Sequence, residues 1–256
     1  MKKLFLPYWL CLILLIAATM LSGCQQNGYV NDTKTGAVTV ENESRLKDGT
    51  YTAHGAFRDD AGYAPFLSLS VTKGIITKAS YSEKDANGKI KTAFSDSEAK
   101  KNYTDPEDFY QALESSLITH QDTENLPGDE RQSADDFKNL ADAAMKNAES
   151  GITSGTAVNL ERVYTATGMT AEAAPRRAKM TVTYQKGKIS SIDFTVDGNT
   201  LTERAQIGEM IDKSIKADSL SDVSFSAKTT EELALLSAYN EALTAVAAKR
   251  IPVQGN

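Results

Sequence analysis

The sequence predicts an α+β fold built twice on one plan, an antiparallel sheet with helices on one face. Two stretches alternate apolar and polar residues, Lys-Gly turns stand at 73–74 and 186–187, and amphipathic helical stretches follow each. The turn glycines lie 113 residues apart with matching apolar positions on both sides, the mark of an internal repeat.

At the N-terminus, Lys2 and Lys3 precede an apolar run from Leu4 to Leu21, which closes on Leu21-Ser22-Gly23-Cys24. A spanning helix needs about 20 unbroken apolar residues, whereas Pro7 leaves this run with the length of a signal-peptide core. Residues 1–23 are therefore expected to be a lipoprotein signal peptide. Leu-Ser-Gly-Cys is its lipobox, in which the Cys24 thiol accepts diacylglycerol before cleavage. The mature chain is then expected on the extracellular face of a cell membrane, held by that group and a further chain such as palmitate.

Removing the signal also removes Trp9 and Cys11, so Cys24 is the one cysteine left and no internal disulfide can form. Losing Lys2 and Lys3 takes 28 basic residues to 26 against 34 acidic ones, a net charge of −8. A chain this acidic is not a nucleic-acid binder. Residues 24–46 are polar, bury too little surface to fold, and are expected to be a flexible tether with a reach on the order of 25 Å.

The first repeat is expected over 47–151. Leu67, Leu69 and Val71 alternate with Ser68, Ser70 and Thr72, turn at Lys73-Gly74, and resume through Ile76 to Tyr81. Asp105-Pro106-Glu107-Asp108 opens a helix with Phe109, Leu113 and Leu117 on its buried stripe. A second helix follows Ser133, with Asp135 and Asp136 in its first turn and Phe137, Leu140, Ala141 and Ala144 inside. Residues 152–177 read as a linker, within which 158–164 could add a strand. The second repeat, 178–250, alternates at Met180, Val182 and Tyr184, turns at Lys186-Gly187, and continues through Ile189, Ile192 and Phe194. Ile207, Met210, Ile211 and Ile215 then mark one helix face. Thr229 with Glu232 reads as a capping box ahead of Leu233, Leu236, Leu243 and Val246, and 251–256 is a tail.

Catalytic and metal constellations are not expected. His54 and His120 are the only histidines, and neither has ligand spacing. His54 reads as an ordinary surface histidine, Asp59-Asp60 as a loop, and Asp135-Asp136 as helix-start electrostatics.

Asp48-Gly49-Thr50-Tyr51-Thr52, Asp60-Ala61-Gly62-Tyr63-Ala64-Pro65-Phe66, Lys73-Gly74-Ile75-Ile76 and Asn87-Gly88-Lys89 together resemble the FMN-binding-domain lipoproteins of Gram-positive surfaces. That resemblance implies a carrier relaying electrons from membrane redox proteins, with FMN joined through a phosphodiester to Thr or Ser in an Asp-x-x-Ser/Thr-Gly-Ala-Thr type motif. The sequence departs from this pattern in both halves. In the first, Arg131 stands at the acceptor position and offers no hydroxyl. In the second, Asp218, Ser221 and Ser224 keep the Asp and both hydroxyl positions, but Asp222 replaces the glycine. Covalent FMN at Ser224 and non-covalent FMN, with Arg131 on its phosphate and Tyr63 or Phe66 against its ring, both stay open. Two other readings stand beside the carrier. The signal fragment 16–23, Ile-Ala-Ala-Thr-Met-Leu-Ser-Gly, has the uncharged, apolar character of a peptide pheromone for a peptide receptor. The third reading is a non-catalytic scaffold that has lost its cofactor.

Overall fold

Each Lys-Gly dipeptide turns a strand back on itself because both of its residues take positive φ, 53° and 71° at Lys73-Gly74 and 51° and 81° at Lys186-Gly187. A two-residue loop of this kind matches the right-handed twist of the strands it joins. The computed structural model describes residues 45–94, 103–128, 130–170, 176–200, 205–221 and 229–254. Cys24, the fragment 16–23 and Ser224 lie outside them.

Among these residues the fold is α+β. The first sheet holds β1 (Gly49–Gly55), β2 (Ala64–Thr72), β3 (Ile75–Lys84) and β4 (Thr156–Val158) in the order β3-β2-β1-β4. The second holds β5 (Arg162–Met169), β6 (Arg177–Gln185), β7 (Lys188–Val196) and β8 (Asn199–Thr200) in sequence order. The second sheet is antiparallel as expected, whereas the first is mixed, because β4 runs parallel to β1. Helices α1 (Pro106–His120) and α2 (Gln132–Ser150) pack on the first sheet, and α3 (Ala205–Ala217) and α4 (Thr230–Lys249) on the second. None of these helices is long and apolar enough to cross a membrane.

Two apolar cores result. Tyr51, Leu69, Phe109, Leu113, Phe137 and Leu140 are buried in the first. Tyr164, Met180, Phe194, Met210, Tyr239 and Leu243 fill the second. Both cores nonetheless lie in one compact unit. Two residues expected in the tether belong to it: Leu46 packs against the first core and Arg45 pairs with Glu149 at 2.8 Å.

The repeat reaches further than expected. The stretch 152–177 carries β4 and β5, and β5 lies at the same 113-residue offset from β1, so that Tyr51-Thr52-Ala53-x-Gly55 recurs as Tyr164-Thr165-Ala166-x-Gly168. Irregularities in the hairpins recur too, at Ser70/Val71 and at Thr183/Tyr184. Thr77 Oγ1 donates to Ser70 O and Ser190 Oγ to Thr183 O across the equivalent spots. In α4, Leu235 is buried where Leu233 was expected to be, and Leu233 is exposed.

Helix ends complete the correspondence. Gln121 and Asp218 each follow the first helix of their half with positive φ, 62° and 49°. The Ile76 N–H donates to Gln121 Oε1 and the Ile189 N–H to Asp218 Oδ1, both at 2.8 Å. Asp218 is thus a structural cap that ties α3 to β7. Replacing Asp218 with Ala should cost about 1–3 kcal/mol, because a half-buried amide loses its acceptor. Asn, which tolerates the left-handed backbone and can accept the bond, should retain most of the stability. Urea unfolding of the two variants checks this; equal losses would contradict a hydrogen-bonded cap.

Candidate functional site

Strand register brings charge into the first core. Inward positions of β3 run Ala79, Tyr81 and then Glu83, so the end of this strand places a carboxylate among apolar neighbours. The chain returns after β3, and Lys91 N–H donates to Glu83 O. This return sets Lys91 Nζ 3.0 Å from Glu83 Oε2, with both side chains buried. Tyr81 Oη donates to Glu83 Oε1 at 3.1 Å. Burial and the adjacent Glu83 charge raise the Tyr81 phenol well above its ordinary pKa.

A second buried pair joins the halves. Arg162, the first residue of β5, donates through Nη1 to Asp136 Oδ1 on α2 at 2.8 Å, and both side chains are at most 5% exposed. Gln132 Nε2 reaches the same carboxylate oxygen at 3.1 Å. The helix begins at Gln132, so Asp135 is its first-turn acid and Asp136 is a buried ion-pair partner, which corrects the helix-start reading. Burial outweighs the pull of Arg162 and pushes its pKa up to about 6. Burial opposes the Arg162 charge, but Asp136 more than offsets it and raises the guanidinium pKa.

Beside these pairs opens a cleft of about 600 Å³, lined by Asp59, Asp60, Tyr63, Lys91, Phe94, Gln132 and Arg162 among others. The Asp59-Asp60 loop is more than a connection. Asp59 Oδ1 accepts the Tyr63 N–H at 2.7 Å, and burial raises the Asp59 pKa. Asp60 Oδ1 accepts from the Thr165 N–H at 3.0 Å and from Lys249 Nζ at 2.8 Å, crossing between the halves.

The residues singled out in the sequence are only partly brought together. Tyr63 lines the cleft, and Lys91 Nζ lies 5.9 Å from the centres of both the Tyr63 and Phe94 rings. Arg131 belongs to the same neighbourhood and is 4% exposed. Its guanidinium lies 4.4 Å from the Phe94 ring and 4.8 Å from Phe109, and Nη2 donates to Tyr103 O. Phe66 lies on the other face of the sheet, lining a cavity of about 330 Å³ with His54, Ser68 and Lys84. His54 is buried and stacks on Phe66 at 6.0 Å, contrary to a surface histidine, and burial lowers its pKa. Asp218 caps α3, and Ser221 is exposed at the loop that follows.

Arg131 is the N-cap residue of α2, and the residue in the same place before α4 is Thr229. Its side chain accepts the Glu232 N–H at 3.1 Å in the expected capping box. By helix position, the second-half equivalent of Arg131 is therefore Thr229, five residues beyond Ser224. The first half offers no hydroxyl at this point. Among the described residues, no group of three or more metal-ligating side chains gathers.

No family model matches the sequence, and no curated protein matches it. The chain is similar to the CPE2226 protein of Clostridium perfringens. Identity to that crystal structure is 35%, over 45% of this chain and 98% of the other, with a TM-score of 0.41. A Clostridium thermocellum protein solved by NMR is 21% identical over 41% of this chain and 93% of its own length, with a TM-score of 0.30.

Glu83, Lys91 and Arg162 were not singled out by the sequence, and Asp136 was noticed only as a helix-start acid. The recurring Tyr-Thr-Ala-x-Gly is the signal that points to Arg162, since it carries the second repeat back to the start of β5.

The raised pKa of Asp136 has a definite sign. The folded protein holds this proton up to about pH 6, whereas an unfolded Asp releases it near 3.8. The Asp136 contribution to stability is therefore full below about pH 4 and lost as pH rises through about 6. Wild type should lose stability relative to D136N over that interval, measured by urea unfolding at several pH values. A constant difference would show that Asp136 keeps an ordinary pKa.

Proposed function

We propose that this chain is a lipid-anchored extracellular lipoprotein whose fused body is a non-catalytic binding module without covalent flavin in its first half. Arg131 carries the reading: where an acceptor hydroxyl is required, a guanidinium is buried against Phe94 and Phe109. Asp218, the leading acid of the second motif, is engaged by the Ile189 amide, which supports the same conclusion. The lipobox ending at Cys24 and the polar tether supply the anchor and the location. No catalytic turnover is assigned.

One observation favours the electron-carrier reading. Thr229 brings a hydroxyl to the helix start that Arg131 closes in the first half. FMN attached there, or at Ser224, would make the second half a one-flavin carrier for membrane redox proteins.

Full-length protein purified in detergent separates the two. The binding-module reading expects no absorbance at about 450 nm, where a bound flavin absorbs. A flavin spectrum that disappears in T229A or S224A would overturn it in favour of the carrier. Cys24→Ala should abolish acylation and release the chain from the membrane fraction, read by metabolic labelling with palmitate; an acylated C24A protein would refute the anchor.

A further inference from the structure

The cleft between the halves contains a feature that neither the anchor nor the fold requires. Arg162 is 4% exposed, and only its Nη1 is engaged, by Asp136 Oδ1 and Glu161 O. Nε and Nη2 are buried without a hydrogen-bond partner. These two nitrogens share one edge of the planar guanidinium and carry parallel N–H bonds, the spacing that fits two oxygens of a carboxylate or phosphate. Buried donors are nearly always satisfied, so an entire unpaired edge beside a cleft marks a place for an acceptor.

The rest of the cleft defines the acceptor. Asp59 acts on the Arg162 charge from a distance but gives it no hydrogen bond, and one of its oxygens is held by the Tyr63 amide. Lys91, paired with Glu83, is a second charged group on the lining, while Tyr63 and Phe94 provide aromatic wall. The two aspartates at 59 and 60 put negative charge on the cleft lining, which disfavours long polyanions and leaves room for one compact anionic head. A volume of about 600 Å³ suits a molecule of metabolite size.

The geometry points to this cleft as a binding site for a small molecule bearing one carboxylate or phosphate group, seated on the free edge of Arg162 with its body against Tyr63 and Phe94. The inference rests on reading the body as a binding module and names the ligand class of that module. Its failure is separable from failure of that reading, because flavin absorbance and anion titration are independent measurements.

Isothermal titration of the full-length protein in detergent, with inorganic phosphate and with benzoate, a monocarboxylate with an aromatic body, as separate probes, tests it. Saturable binding of either probe is expected, and the probe that binds identifies the head group. Val163 is 44% exposed on the cleft lining, so V163E adds a repelling carboxylate at a position where folding should survive. R162K keeps a charge for Asp136 and loses the two-donor edge. Each variant should bind about tenfold more weakly or worse, since a paired contact becomes a single or opposed one, with circular dichroism confirming a folded chain. No saturable binding of either probe would mean that water alone fills the Arg162 edge and would overturn the site. Unchanged affinity in folded V163E and R162K would place binding elsewhere and overturn it equally.

Discussion

A buried guanidinium cannot remain in an apolar interior without its counter-charge, and this requirement fixes how the halves meet. Arg162 opens the second sheet, while Asp136 lies near the start of α2 in the first half. Separating the halves would leave each charge against the other's vacated surface, and breaking such a pair by removing one partner costs about 3–5 kcal/mol. The remaining contacts extend this seam. Tyr164 Oη donates to Arg58 O at 2.6 Å. The C-terminal segment returns to the first half through Val253 N–H to Ala56 O, and Arg250 sits between the rings of Phe57 and Tyr184. Lys249 and Asp60 occupy the carbonyl and amide of Thr165 on β5, so the free edge of the second sheet is blocked at that point by side chains.

The two halves share their hairpin turns and strand irregularities, and the charges that line the cleft belong to one copy of the repeat only. Turns and strand irregularities recur at the same offset, and the first helix of each half ends in a side-chain cap, Gln121 in one and Asp218 in the other. Glu83, however, corresponds to Val196 at the same offset, and Arg162 to Gly49. Matching the helices at Arg131 and Thr229 sets Asp136 against Ala234. Val196 and Ala234 are both buried, so the fold accepts plain apolar residues at these points. The charged cluster is therefore a property of one half and of the seam. It is no structural necessity of the repeat unit.

This division explains what the sequence could reveal. Leu67, Leu69 and Val71, or Phe109, Leu113 and Leu117, follow the period of their own element, so local patterning places them. Thr229 and Glu232 are three residues apart and announce their capping box in the same way. β5 was harder to read because Thr165, Thr167 and Gly168 weaken its apolar alternation, and only its kinship with β1 exposes it. Arg162 and Asp136 are 26 residues apart and meet only when two separate cores dock. His54 lies on the open face of its sheet, and its burial comes from tertiary neighbours such as Phe66 rather than from strand alternation.

The open face of the first sheet and the seam also differ in what they demand of a ligand. On the open face, the cavity beside His54 is ringed by Ser68, Ser80 and Ser82, hydroxyls that water can satisfy at little cost. At the seam the demand is set by Arg162, whose charge is held by a single oxygen of Asp136 and whose Nε and Nη2 are buried without a partner. A group that brings two correctly spaced oxygens completes the guanidinium with less ordering than two separate waters would need. The same buried charge that locks the halves together therefore keeps a two-donor edge beside the cleft, and an anion bound to it would stabilise the junction by mass action.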